Sequence, residues 1–245
     1  MILKDEAIAL RIYPFGNTSQ IAVWLSRNHG KLATLAKGSQ RARGGLVGQF
    51  DLFYTCEVLF YAREHRNLHV LKECVPVQMR ESLRRDWRAC AAASYAAGCL
   101  DRAMPFGPAP PGLYDLLADT LCRLAVHTPG PAFLLRFELL LLQELGLAPD
   151  WNRCSKCRVD LRQACARLDE SHGALWCDHC AEGRGSLMAP ASLGAIRSML
   201  GQDLPSSLPK QAFREARDAI GGLLAHQADF FSQSRDIAMS ILSAN

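Results

Sequence analysis

No stretch of this chain is long and apolar enough to span a bilayer. The most apolar run, Ala132–Leu145, is too short and contains Arg136, Glu138 and Glu144. The N-terminus lacks a basic region followed by an apolar run and a small-residue cleavage site, so no secretory leader is read there. Gly-x-Ser-x-Gly, P-loop, His-Glu-x-x-His and Gly-x-Gly-x-x-Gly are all missing. So is the His-x-Glu that precedes the cysteine pair of zinc deaminases. The seven histidines are dispersed. His29 and His65 fall in expected turns and His127 at an expected helix end, which suits surface groups better than catalysts. There is no internal repeat and no low-complexity tract. These absences point to a cytoplasmic protein with no catalytic residues. At 245 residues it forms one large domain or two small ones.

Cysteine, by contrast, is plentiful. Cys154-Ser-Lys-Cys157 and Cys177-Asp-His-Cys180 are two Cys-x-x-Cys pairs joined by the loop Arg158–Trp176. Each pair makes a tight knuckle that presents two thiolates to one metal, and four such ligands suit a tetrahedral zinc. Four sulfurs close the coordination shell and leave no position for a substrate water. The zinc is therefore expected to be structural, with its binding energy serving folding. Two alternatives stay open: redox dithiols, or cysteines that no longer bind metal. A thioredoxin-like site, however, needs one pair at a strand–helix junction, not two in a polar insertion. Cys165, His172 and His179 lie nearby and read as bystanders or as substitutes for one of the four ligands. Cys56, Cys74, Cys90, Cys99, Cys122 and Cys165 read as reduced, mostly buried thiols.

The net charge of +4 conceals an asymmetry. Residues 1–90 hold 14 Lys+Arg against 8 Asp+Glu, while residues 91–245 hold 14 against 16. The surplus lies entirely in the N-terminal third. A basic front on a neutral body suggests a polyanionic partner, although a plain solvated surface gives the same count.

That basic third reads as short strands. Residues 5–14 alternate as a half-buried strand, 19–25 and 31–36 follow, 50–61 is a long strand, and 68–75 is stopped by Pro76. Five strands without an intervening long helix predict an OB-type β-barrel over residues 1–78. Such barrels bind oligonucleotides through an open face, cationic loops and aromatic rings. The candidate DNA contacts are Lys31, Lys37, Arg41, Arg43, Arg63 and Arg66, with Tyr13, Phe15 and Trp24 as stacking platforms or core. Cations without a readout helix neutralise phosphates and do not choose bases, so binding is expected to be sequence-neutral and salt-sensitive.

Residues 79–245 read as an all-α bundle with the zinc knuckle at 151–182 inserted, an α+β multidomain chain overall. Helices are expected at 80–104, 113–127, 132–145, 190–200, 210–225 and 236–242. The third is apolar nearly all round, which marks the central helix. Arg136 and Glu138 on it are an internal ion pair, charges exposed at the bundle edge or, for Arg136, a cationic notch for an acidic partner peptide.

The order of these pieces resembles the bacterial RecO recombination-mediator family. The likeness runs through Gly30-Lys-Leu-Ala-Thr-Leu-Ala-Lys37-Gly38, then Glu81–Leu100 with Ala93-Ser-Tyr95, then Leu113-Tyr114-Asp-Leu116-Leu117. It continues with Arg136-Phe137-Glu138-Leu-Leu, Leu145-Gly146, the Cys154–Cys180 knuckle and Leu193. Gly44-Gly45 departs from it, since many members carry a more polar residue there, and some members lack the cysteines. The resemblance implies a non-enzymatic role in recombinational DNA repair, with nucleoid-associated localisation. It implies binding to single- and double-stranded DNA, strand annealing, action with RecR and with the acidic tail of single-strand-binding protein, and help in loading RecA. An RNA-binding or ribosome-associated factor of the same architecture is the alternative, and an enzyme with a catalytic zinc is a third reading.

Overall fold

The computed structural model describes residues 1–63, 67–201, 204–205, 207–227 and 232–244. The chain divides into two compact units, Met1–Thr128 and Pro129–Asn245.

The first unit begins with strands β1 (Ile2–Phe15), β2 (Ser19–Ser26), β3 (Gly30–Ala36), β4 (Thr55–Tyr61) and β5 (Leu68–Gln78). They close into a barrel in the order β1-β2-β3-β5-β4, with β3 and β5 parallel and the other pairs antiparallel. This is the five-stranded OB-type barrel expected. β1 is long enough to serve two partners, pairing Ile2–Ile8 with β4 and Ala7–Phe15 with β2. A register shift between Ala9 and Arg11 accompanies the handover. Ala7, Ala9 and Ala22 leave room inside the barrel for Trp24, whose indole N–H donates to Thr34 Oγ1 at 2.8 Å. Asp5 clasps the β2–β3 turn. It accepts from the Ser26 hydroxyl, from Asn28 N at 2.9 Å and from Asn28 Nδ2 at 2.7 Å.

Three strand expectations change. Pro76 does not end β5; it pairs with Cys56 beside a register shift, where a missing N–H costs little. The fourth strand starts at Thr55, not 50, because Phe53 takes a left-handed φ of 67° that breaks an extended run. β1 is also not half-buried. Ala7 and Ala9 point inward, yet the outward Ile8 and Leu10 are buried as well. On β2 the outward Val23 and Leu25 are buried in the same way.

The cover on that outer surface comes from helices. A 3-10 turn at Glu81–Arg84 leads into α1 (Trp87–Ala103), followed by α2 (Gly112–Leu124). Asp86 caps α1 by accepting from Arg88 N and Ala89 N. A face of Ala89, Ala92, Ala93 and Ala96 allows close packing. Polar ties fix the helices to the barrel: Arg11 pairs with Asp101, Arg27 with Asp115 at 2.9 Å, and Tyr114 Oη donates to Glu6 at 2.8 Å. Gly30 permits one further closure. It sits at φ 68°, and a Cβ there would lie 2.3 Å from Gly107 O, so only glycine lets the 105–109 loop bond to β3.

In the second unit, α3 (Pro131–Glu144) packs against α5 (Pro190–Met199), α6 (Lys210–Gln227) and α7 (Ser232–Ser243). It is the central helix, as its all-round apolarity indicated. Glu138 is fully buried and forms a two-pronged pair with Arg235, at 2.8 Å for each bond. Between α3 and α5 lie β6 (Ala166–Asp169), β7 (Ala174–Cys177), the one-turn α4 (Asp178–Ala181) and β8 (Ser186–Met188). The three strands form a small sheet in the order β7-β6-β8, where the sequence shows no strand pattern because each strand is only three or four residues long. Arg197 on α5 anchors this segment by donating to Trp151 O and Arg162 O. No helix among the described residues is long and apolar enough to cross a membrane.

Candidate nucleic-acid interface and metal centre

The five basic candidates among the described residues do not form one cluster. Strand registers separate them. Ala36 pairs with Gln20 and Phe15 with Ser19, so Lys37, Arg41 and Arg43 leave β3 at the barrel end that holds the β1–β2 turn. Ile2 pairs with Tyr61 and Ser26 with Gly30, so Arg63 lies at the opposite end. β3 alone, seven residues long, separates the two ends by roughly 20 Å. Arg66 falls outside the described residues.

Lys37, Arg41 and Arg43 are exposed, as is Arg63. No carboxylate among the described residues lies within ion-pair distance of any of the four, whereas Lys4, Arg11, Arg27 and Arg84 all have acid partners. The loop is not loose. Gly38 N donates to Ser19 Oγ at 3.1 Å, Gln40 N to Thr18 O at 3.0 Å and Ser39 Oγ to Gln20 at 3.0 Å. Tight turns then stack Arg41 N on Gly38 O and Gly44 N on Arg41 O. A Cβ on Gly44 would lie 2.5 Å from Gly38 O, which accounts for glycine at that position. A pinned loop presenting unpaired cations suits a phosphate chain.

Lys31 is a correction. Its side chain is buried and its ammonium pairs with Asp101 at 2.9 Å. It also donates to Asp101 O and to Met104 O. It is spent inside the first unit and cannot grip an external phosphate. The open barrel face is a second correction, because the outward residues Ile8 and Leu10 of β1 and Val23 and Leu25 of β2 are buried, and the described residues exposed to solvent lie at the barrel ends and on the β4–β5 side. Among the aromatics, Trp24 is core at 0% exposure. Tyr13 and Phe15 are exposed, beside the turn to which the basic loop is pinned.

The cysteines do converge. The sulfurs of Cys154, Cys157, Cys177 and Cys180 all lie within 4.8 Å of one another, with Cys157 and Cys177 at 3.7 Å. The β6–β7 hairpin and the α4 turn carry the second knuckle to the first. Ser155 N bonds Leu175 O at 2.7 Å, and Leu175 N bonds Ser155 Oγ at 3.0 Å. Burial works against ionising Cys154, but the N–H groups of Cys157, Cys177 and Lys156 point at its sulfur and draw its pKa down to about 6. Burial and the neighbouring sulfurs push Cys180 up to about 12. Four soft donors at this spacing fit a single metal ion. The bystanders stand apart: Cys165 and His179 are exposed, and His172 pairs with Asp169 at 2.8 Å in the hairpin turn.

Arg136 makes no open notch. It donates to Met199 O at 3.2 Å and to Gly201 O, capping the end of α5. A groove of about 470 Å³ lies elsewhere in the second unit. Its apolar lining includes Ala132, Leu208 and Phe213, and Lys210, Arg214 and Arg217 rim it. The i, i+4, i+7 spacing of those three cations on one helix is the sequence signal for this face.

The comparisons with known proteins agree along the chain. A family model described as "Recombination protein O N terminal" matches residues 1–80, and one described as "Recombination protein O C terminal" matches residues 84–235. A protein of Anaeromyxobacter dehalogenans named DNA repair protein RecO is 28% identical over 91% of this chain and 91% of its own length. One of the same name from Myxococcus xanthus is 28% identical with the same coverage. Another from Roseiflexus is 30% identical over 80% of this chain and 68% of its own. With a barrel, a helical unit and a cysteine cluster in the expected order, the chain belongs to the recombination protein O family.

Proposed function

We propose that this protein is a non-enzymatic DNA-binding mediator of recombinational repair. It grips single- and double-stranded DNA through phosphates, brings complementary strands together, and helps load RecA in company with RecR. Family membership supports the repair role. The observation that carries DNA binding is the pinned loop with Lys37, Arg41 and Arg43 exposed and without acid partners among the described residues. Arg63 at the far end of the barrel lets one strand touch both ends. The four-cysteine cluster holds a structural zinc whose role is to fasten 151–182, since a closed thiolate shell offers no reacting position. The acidic tail of single-strand-binding protein fits the groove rimmed by Lys210, Arg214 and Arg217 better than Arg136, whose donors are used. The protein works in the cytoplasm, on nucleoid DNA.

The test is a fluorescence titration of a labelled single-stranded oligonucleotide at several salt concentrations, repeated with an RNA competitor of the same sequence. Salt-dependent binding that DNA competes for at least as well as RNA is expected. Failure to bind in dilute buffer sinks the reading, and a strong preference for RNA transfers it to an RNA-binding factor.

A further inference from the structure

The barrel end that carries Arg63 also holds a cleft of about 200 Å³. Its walls are rings. Phe60 forms the floor, and His69 stacks on it with centroids 5.4 Å apart and planes 26° apart. His29 meets Phe60 edge-on at 6.2 Å. Phe106 also lines the cleft, 39% exposed, with the Lys31 ammonium 4.8 Å from its ring centre. The Gly30–Gly107 approach holds Phe106 there, through Lys31 N to Gly107 O at 2.9 Å and Gly107 N to Lys31 O at 2.8 Å. Asn67 lies at the mouth, exposed, with its carbonyl tied to Ala33 N at 3.2 Å.

The hydrogen-bonding groups are also specific. His69 Nδ1 accepts the Arg63 backbone N–H at 3.2 Å, which places the ring proton of the neutral imidazole on Nε2. Burial, then the Arg63 and His29 charges, keeps His69 below the ordinary imidazole pKa, so it is a neutral stacking ring with one donor edge. The cleft thus offers aromatic rings, the two imidazoles of His29 and His69 and one primary amide. A planar heteroaromatic ring with its own donors and acceptors matches that set. A purely hydrocarbon ring would leave the polar groups unanswered.

We propose that this cleft takes one unstacked nucleobase of a single strand whose adjacent phosphate lies on Arg63. The inference rests on the DNA-binding reading and narrows it. A base must leave its stack to enter, so the site favours single strands over duplex.

The test uses the full chain and two strands of equal length, an oligothymidylate and an abasic deoxyribose-phosphate strand. The parent should prefer the thymidylate by roughly tenfold. Phe106→Ala and Asn67→Ala, both at exposed positions, should reduce that preference several-fold and leave the salt slope unchanged. The Lys37→Ala/Arg41→Ala/Arg43→Ala variant should flatten the slope and keep the preference. Equal parental affinity for the two strands, or a folded Phe106→Ala variant with full preference, overturns the cleft alone. Absence of parental binding to either strand overturns the cleft and the DNA-binding reading together.

Discussion

Replacing Lys37, Arg41 and Arg43 together by alanine removes three exposed cations and no packing, because none of the three side chains is buried. Each phosphate contact contributes about 0.7 to the slope of log K against log salt for single strands and about 0.9 for duplex. Three contacts therefore account for about 2.1 units on single strands and about 2.7 on duplex. Between about 50 and 200 mM salt, the parent should lose about 20-fold more affinity for a single strand than the variant does, and about 40-fold more for duplex. Fluorescence anisotropy of a labelled oligonucleotide across that range reads both slopes. Lys31→Ala is the internal control. The same residue type, buried against Asp101, should lower stability and leave the slope unmoved wherever the variant stays folded. A triple variant with the parental slope would show that the loop does not hold phosphates, whatever its effect on affinity at one salt concentration.

Cys157 is exposed, so Cys157→Ser removes a ligand and no core contact; it should lower bound zinc and the melting temperature of the second unit. Equal zinc by metal analysis, with a parental melt, would refute the four-sulfur site. Glu138→Ala should cost about 3–5 kcal/mol in urea unfolding, because it removes the carboxylate that balances the mostly buried Arg235 charge and leaves its hydrogen bond to Arg217 O in place. Glu138→Leu/Arg235→Met should recover most of that loss, and a double variant as unstable as the single would disprove the unbalanced-charge account. Burial works to raise the Asp5 pKa, but Ser26, both nitrogens of Asn28 and the Glu6 N–H outweigh it and hold it below 3.8. The resulting stability is complete above the ordinary carboxylate value and disappears as pH falls through the folded one. Asp5→Asn should therefore trail the parent in denaturant at about pH 7 and converge with it in strong acid; a gap independent of pH would contradict this.

The barrel, the helices and the cysteine knuckles were legible because each depends on residues close in sequence. Period-two alternation marks strands, long apolar faces mark helices, and Cys-x-x-Cys sets a ligand pair by itself. β6, β7 and β8 escaped because three or four residues are too few for periodicity to register. Pro76 read as a stop because only the partner strand reveals the register shift that tolerates it.

The sequence alone determined that the first ninety residues carry the positive surplus, that four sulfurs can meet, and that α3 is central. Only the tertiary structure decided which cations remain available. Lys31 and Lys37 lie six positions apart in like surroundings, yet one is consumed by Asp101 and the other faces solvent. Glu138 finds its counter-charge 97 residues away, and Arg136 loses its freedom to the carbonyls at the end of α5. A side chain's charge is written in the chain, but the partner that neutralises it arrives through packing, across separations that no local pattern encodes.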